Sequence, residues 1–194
     1  MKKKAGATIV DPVELHANRR NGIGMCCVMN LKKYLNDYLE KLDPTVPVHS
    51  LKEVIAFNIQ HAETALKYGQ ATLIWSEETS GKLTEQDYLD SKMKKNMQMS
   101  RAQGIDYALE QHRLDALLFL GNEGGSDLAA RAGYPLITVP AGYAASGITT
   151  PGGYTTKGPQ GVTFVGTAFS EPTLMKVAYG FEQATKHRCP PKLQ

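Results

Sequence analysis

Apolar positions in this chain follow two rhythms: steps of three and four through the first hundred residues, and short unbroken runs in the last third. From Met25, the residues Val28, Leu31, Leu35, Tyr38 and Leu42 recur at helical spacing, which predicts one amphipathic helix that Pro44 and Pro47 end. Ser50 and Glu53 then form a capping box ahead of Leu51, Val54, Ile55, Ile59, Ala62 and Leu66, predicting a single helix that stops at Gly69. Thr84 opens another helical stretch, LTEQDYLDSKMKKNMQMSRAQ, with Gly104 as its predicted break before IDYALEQHR. Met93, Met97 and Met99 on that stretch read as fillers of irregular gaps in a core.

Elsewhere the pattern is that of strands. GATIVDPV, Gly6 to Val13, is a β-branched run closed by Asp-Pro. LDALLFL, Leu114 to Leu120, is apolar almost throughout, the pattern of a strand covered on both faces as in parallel sheets. After it come GNEGGSD, a short helix around Leu128 to Ala132, the strand PLITVP, a Gly/Pro-rich stretch AGYAASGITTPGGYTTKGPQG expected as a long loop, and the strand VTFVG. Ser170 then caps a final helix, SEPTLMKVAYGFEQATKHR, with Pro172 in its first turn. Strands alternating with helices predict a layered α/β sheet with helices packed on it, and 1–194 reads as a single α/β unit.

Composition narrows the function classes. The chain has 194 residues, 42% hydrophobic and 21% charged, which suits a folded domain with a sizeable core. A net charge of +3, with its basic residues dispersed, gives no expectation of nucleic acid or an acidic membrane as partner. Lys2, Lys3 and Lys4 resemble the start of an export signal, but the apolar run after them ends at Asp11-Pro12, and no stretch reaches the roughly 20 apolar residues of a membrane span. The three cysteines, two of them adjacent at Cys26 and Cys27, do not suggest a disulfide framework, so a cytoplasmic setting is expected.

Candidate chemistry is sparse. His16, His49, His61, His112 and His187 lack ligand spacing, so neither a metal nor a cofactor is expected. His61 inside its helix reads as a partly buried polar residue with a local partner. Ser126, between a strand and a helix, has the setting of a nucleophile elbow, but GNEGGSDLA lacks the G-x-S-x-G spacing. The same segment has no Lys-Ser/Thr to finish a P-loop, and Ser126 or Asp127 as a helix cap is the preferred reading.

AGYPLITVPAGY followed by GPQGVTFVGTAFSEPTLMKVAYGFEQAT resembles the C-terminal region of the amidase signature family, in particular its peptide-amidase-like branch. The resemblance extends upstream in the family's order through DALLFL, AFNIQHAETALKYGQ and GATIVDP. It implies the C-terminal part of the amidase signature fold and the hydrolysis of amide bonds, of C–N bonds other than peptide bonds or of C-terminal peptide amides. That family works with a Ser-Ser-Lys triad whose serines lie in GGSSGG-like sequence. The only GGS here, Gly124-Gly125-Ser126, is followed by Asp127 and stands at a different place in the family's order.

No catalytic residue is therefore expected in this chain, which would be inactive alone and would require a separate chain carrying the Ser-Ser-Lys half. The resemblance further implies that Gly121, Asn122 and Glu123, standing where the family often has a Pro-Thr pair, line the substrate cleft. Two alternatives remain beside the amidase reading: a non-catalytic binding or interaction module that kept the scaffold, and a hydrolase using Ser126. Strands built for burial and missing their neighbours would leave apolar surface exposed, which predicts a homo-oligomer.

Overall fold

The computed structural model of the protein describes residues 6–15, 25–120, 124–149 and 155–190. The chain forms two compact units, Met1–Arg19 with Lys95–Gln194, and Arg20–Lys94. Each is built from different elements and is taken by itself.

The unit from residue 20 to 94 is helical. Its first helix, α1 (Met25–Leu39), buries Cys26, Val28, Met29 and Leu39. Tyr38, expected on the buried stripe, is exposed instead, and the stripe runs through Lys32 and Leu35 to Leu39. A lysine can occupy that stripe because its ammonium is used: Lys32 Nζ donates to the carbonyls of Glu77 at 2.6 Å and Thr79 at 2.8 Å, and lies 3.5 Å from the Glu77 carboxylate. A cation there meets the carbonyl end of a helix dipole. That helix, α4 (Ala71–Glu78), was not legible from periodicity.

Between them the expected single helix is two, α2 (Leu51–Gln60) and α3 (Ala62–Ala65), with His61 as the break. Ser50 Oγ accepts from Glu53 N as expected, and the Glu53 carboxylate accepts from His49 N, one residue before the N-cap. His61 is exposed, correcting its expected partial burial; Nδ1 sits 2.9 Å from Phe57 O and the ring stacks on Phe57. By pairing with a carbonyl of the preceding turn, the side chain competes with helix continuation. α5 (Gln86–Asp90) leads into a π-helix over Ser91–Ile105, within which the chain passes from one unit to the other. Gly104 lies inside this helix and does not break it, and Met97 and Met99 are half-buried.

The second unit holds α6 (Asp106–His112), β1 (Leu117–Leu120), α7 (Gly125–Ala132), β2 (Leu136–Thr149), β3 (Thr155–Val165) and α8 (Glu171–Thr185). It is a mixed α/β structure around a small antiparallel sheet in the order β1-β3-β2. β1 pairs with β3 through Leu117 to Val165 and Leu120 to Val162, and β2 pairs through Leu136 to Val165 and Val139 to Val162.

β1 is antiparallel to its neighbour and covered on one face only: Leu117 and Phe119 are buried while Leu118 and Leu120 are exposed. Of the Gly/Pro-rich stretch expected as a loop, residues 141–149 and 155–161 are strand instead, the outer part of the β2–β3 ribbon. Gly6–Leu15, expected to include a strand, pairs with no strand among the described residues, though Val13 and Leu15 pack on the core.

Helices cover both faces of the sheet. Leu117, Phe119 and Val165 pack with Ala108 and Leu109 of α6 and Leu128, Ala129 and Ala132 of α7. Val139, Val162 and Phe164 pack on the other face with Leu174, Ala178 and Phe181 of α8, where Phe164 and Phe181 meet edge to face at 5.9 Å. Removing one large side chain from such a layer costs about 2–5 kcal/mol.

Candidate functional site

The outer part of the β2–β3 ribbon forms a groove of about 430 Å³, lined by Leu120, Ala141, Gly142, Tyr143, Ile148, Gln160, Gly161 and His187. Its shape follows from ladder irregularities. Pro140 opposite Gly161 and Pro159 opposite Tyr143 withhold donors from the ladder, and the register shifts between Pro140 and Gly142 and again between Ala144 and Ile148. Gly142 adopts φ +142, a backbone that a side chain would strain, and Gly161 leaves its wall low because a Cβ there would stand 2.9 Å from the Thr138 methyl.

The groove's walls are mostly apolar, from Leu120, Ala141, Ile148 and the ring of Tyr143. Its polar groups are fewer. Gln160 is fixed in place, its carbonyl oxygen accepting from Thr156 Oγ1 at 3.0 Å and its amide donating to Gly158 O at 3.3 Å. That leaves one amide N–H and one oxygen lone pair for a ligand. His187 follows Lys186, the left-handed residue that ends α8. An apolar trough with a few convergent polar groups is the usual form of a small-molecule or peptide subsite, and nothing among its side chains is a serine, cysteine or lysine nucleophile.

The three residues expected to line a cleft, Gly121, Asn122 and Glu123, lie outside the described residues. Leu120, which precedes them in the chain, is a groove residue. Gln160, Tyr143 and His187 were missed as site residues, the first two because their segment read as loop. The positive-φ glycines of the ribbon were the available signal.

Ser126 is exposed in the first turn of α7. The N-cap of that helix is Gly124, with φ +85 and no side-chain cap bond, which corrects the reading of Ser126 or Asp127 as the cap; Asp127 pairs with Arg131 at 2.9 Å. Ser170 is the N-cap of α8 by position, but its hydroxyl donates to Thr167 O and caps no N–H.

A second polar cluster joins three segments. Asp106 accepts from Tyr134 Oη and from Thr167 Oγ1, both at 2.7 Å, while Arg101 lies over the Tyr134 ring and donates to Ala132 O at 2.6 Å. Burial first, and then the bond to Asp106, raise the Tyr134 hydroxyl above its ordinary value of 10.0. The tyrosine thus stays a donor through the neutral range, and the cluster ties the start of α6 to the segments flanking the sheet. Among the described residues no group of three His, Cys, Asp or Glu side chains is placed to hold a metal ion, and no helix is long and apolar enough to cross a membrane.

A small antiparallel sheet with helices on both faces and an irregular Gly/Pro ribbon matches a part of the amidase fold, and over most of its length the chain is similar to proteins named as amidases. Within them it is similar to peptide amidases: the peptide amidase of Stenotrophomonas maltophilia superposes with a TM-score of 0.70 at 33% identity, over 86% of this chain and 34% of that one. An amidase family protein from Bacillus anthracis superposes with a TM-score of 0.67 at 36% identity, over 84% of this chain and 29% of that one. An Arabidopsis thaliana protein named "Probable amidase" is 39% identical over 174 residues, which is 89% of this chain and 31% of the relative. The chain therefore spans about a third of the length of the relatives it matches. No family model matches it.

Proposed function

We propose that this chain is the C-terminal portion of a peptide-amidase-like hydrolase and supplies one wall of its substrate cleft. The observation that carries this reading is the superposition on a peptide amidase over 86% of the chain at 33% identity. In it, the ribbon groove receives an apolar side chain of the substrate beside the amide, and Gln160 offers the one hydrogen-bonding pair that orients it. The expectation that Gly121, Asn122 and Glu123 line the cleft belongs to the same reading. The chain works in the cytoplasm.

The attacking serine, the relaying serine and the lysine come from outside these 194 residues, because no GGSSGG-like segment occurs among them. Activation of a serine requires a base within hydrogen-bond reach, and no serine lines the groove for a base to activate. The test is hydrolysis of a panel of peptide amides and aryl amides by the purified chain, with a thermal melt on the same sample. A cooperative melt without turnover is expected, and turnover should appear when a relative's Ser-Ser-Lys segment is co-expressed and co-purified. Turnover by the chain alone that survives further purification, and that Ser126→Ala abolishes, would overturn the reading.

A further inference from the structure

Cys26 and Cys27 follow one another in the first turn of α1, and their sulfurs stand 4.0 Å apart. Cys26 is buried at 3% exposure with Met29 and Tyr88, and its N–H meets Ser91 Oγ at 3.4 Å. Tyr88 Oη in turn donates to Asn30 Oδ1 at 3.2 Å, which pins α5 to α1 around the inner thiol. Cys27 is exposed. The pair therefore has one thiol in a dry, fixed pocket and one open to water. It is in no disulfide, and helix geometry works against one. Consecutive Cα atoms are about 3.8 Å apart across a trans peptide, short of the roughly 4.4–6.8 Å that a disulfide spans. Two thiols that face each other and do not close on themselves are suited to share a third atom.

We propose that Cys26 and Cys27, with Met29, form a binding site for a soft monovalent metal ion, Cu(I). An ion bonded to both cysteine sulfurs at about 2.3 Å, a usual metal–thiolate length, would see them roughly 120° apart at the observed separation. That is the angle of three ligands in one plane. Met29, one helical turn beyond Cys26 and in the same buried cluster, brings a third sulfur to that side of the helix. Thiolate and thioether together select Cu(I). Zinc fits less well, because its structural sites almost always take four ligands, while among the described residues no three His, Cys, Asp or Glu side chains gather. Histidine spacing, from which no metal was expected, has no bearing on a sulfur-only set. As the two metal–thiolate bonds form, both thiol protons leave to solvent; the exposed Cys27 receives the ion and Cys26 draws it into the pocket. This inference does not rest on the amidase reading, since its readout is metal uptake rather than turnover.

The test is competition for Cu(I) between the reduced full chain and bathocuproine disulfonate under argon, read from the absorbance of the copper–bathocuproine complex. Wild type and Cys189→Ser should each take up one Cu(I) per chain. Cys27→Ser, at an exposed position, should abolish uptake and leave the thermal melt where it was. Cys26→Ser should abolish it too, and its melt separates a lost ligand from a lost fold. Met29→Leu, which keeps the side-chain volume, should weaken binding about tenfold. X-ray absorption of the loaded wild type should show three-coordinate copper with only sulfur around it. No uptake by folded wild type, or uptake indifferent to Cys27→Ser or to Met29→Leu, would overturn the proposal. Copper held by nitrogen or oxygen alone, or shared between two chains, would overturn it as well.

Discussion

A Cβ added at Gly125 would lie 2.6 Å from the ring of Phe119, which is itself buried in the layer between sheet and α7. That ring cannot move away cheaply, so Gly125→Ala is expected to destabilise the protein by about 1–3 kcal/mol, read from the urea midpoint at unchanged slope. The neighbouring Gly124→Ala meets no atom within 4 Å but must adopt φ +85, and its cost of about 1–2 kcal/mol is purely backbone. Tyr134 makes a pH argument. Its folded-state value is raised, so the folded protein holds that proton more tightly than the unfolded chain. The resulting stability is fully present below about pH 10 and is lost as pH rises through the folded value. Melts at pH 8 to 11 should therefore show a steeper alkaline decline for wild type than for Tyr134→Phe, and identical slopes would remove Tyr134 as the cause.

At the scale of elements, what could be read in advance followed from how local the determinants are. The final helix and the capping box of Ser50 were legible because their signals sit within one turn. The ribbon was not, since Gly142, Gly158, Pro140 and Pro159 all carry loop signals and only cross-strand partners hold them in a ladder. Thr138 and Thr163 join hydroxyls at 2.9 Å across that ladder from 25 residues apart, a pairing no local window contains. The groove went unread for the same reason. Gly147 is the position where the ribbon is most exposed to a single change: φ is +93 and an added Cβ would stand 2.9 Å from the Thr155 methyl. Gly147→Ala should speed amide exchange from residue 144 outward while leaving Leu136 to Val139 protected, and uniform exchange along β2 would contradict this.

At the scale of the molecule, the two compact units make unfolding a matter of separate cores. Trp75, the sole tryptophan, lies in α4 of the helical unit and reports that unit's unfolding. The other unit has Phe164, Phe181 and Tyr134 as its aromatic reporters. Urea curves followed by Trp75 fluorescence and by amide signals of the sheet should not coincide, whereas coincident curves would mean one cooperative body.

Lys32, half-hidden under the end of α4 with its ammonium on two carbonyls, gives the helical unit a chemical clock. An amine-reactive reagent modifies accessible lysines within its mixing time, but reaches this one only when α1 and α4 part. The appearance of label at position 32, followed by peptide mass against time, would thus measure how often that unit opens.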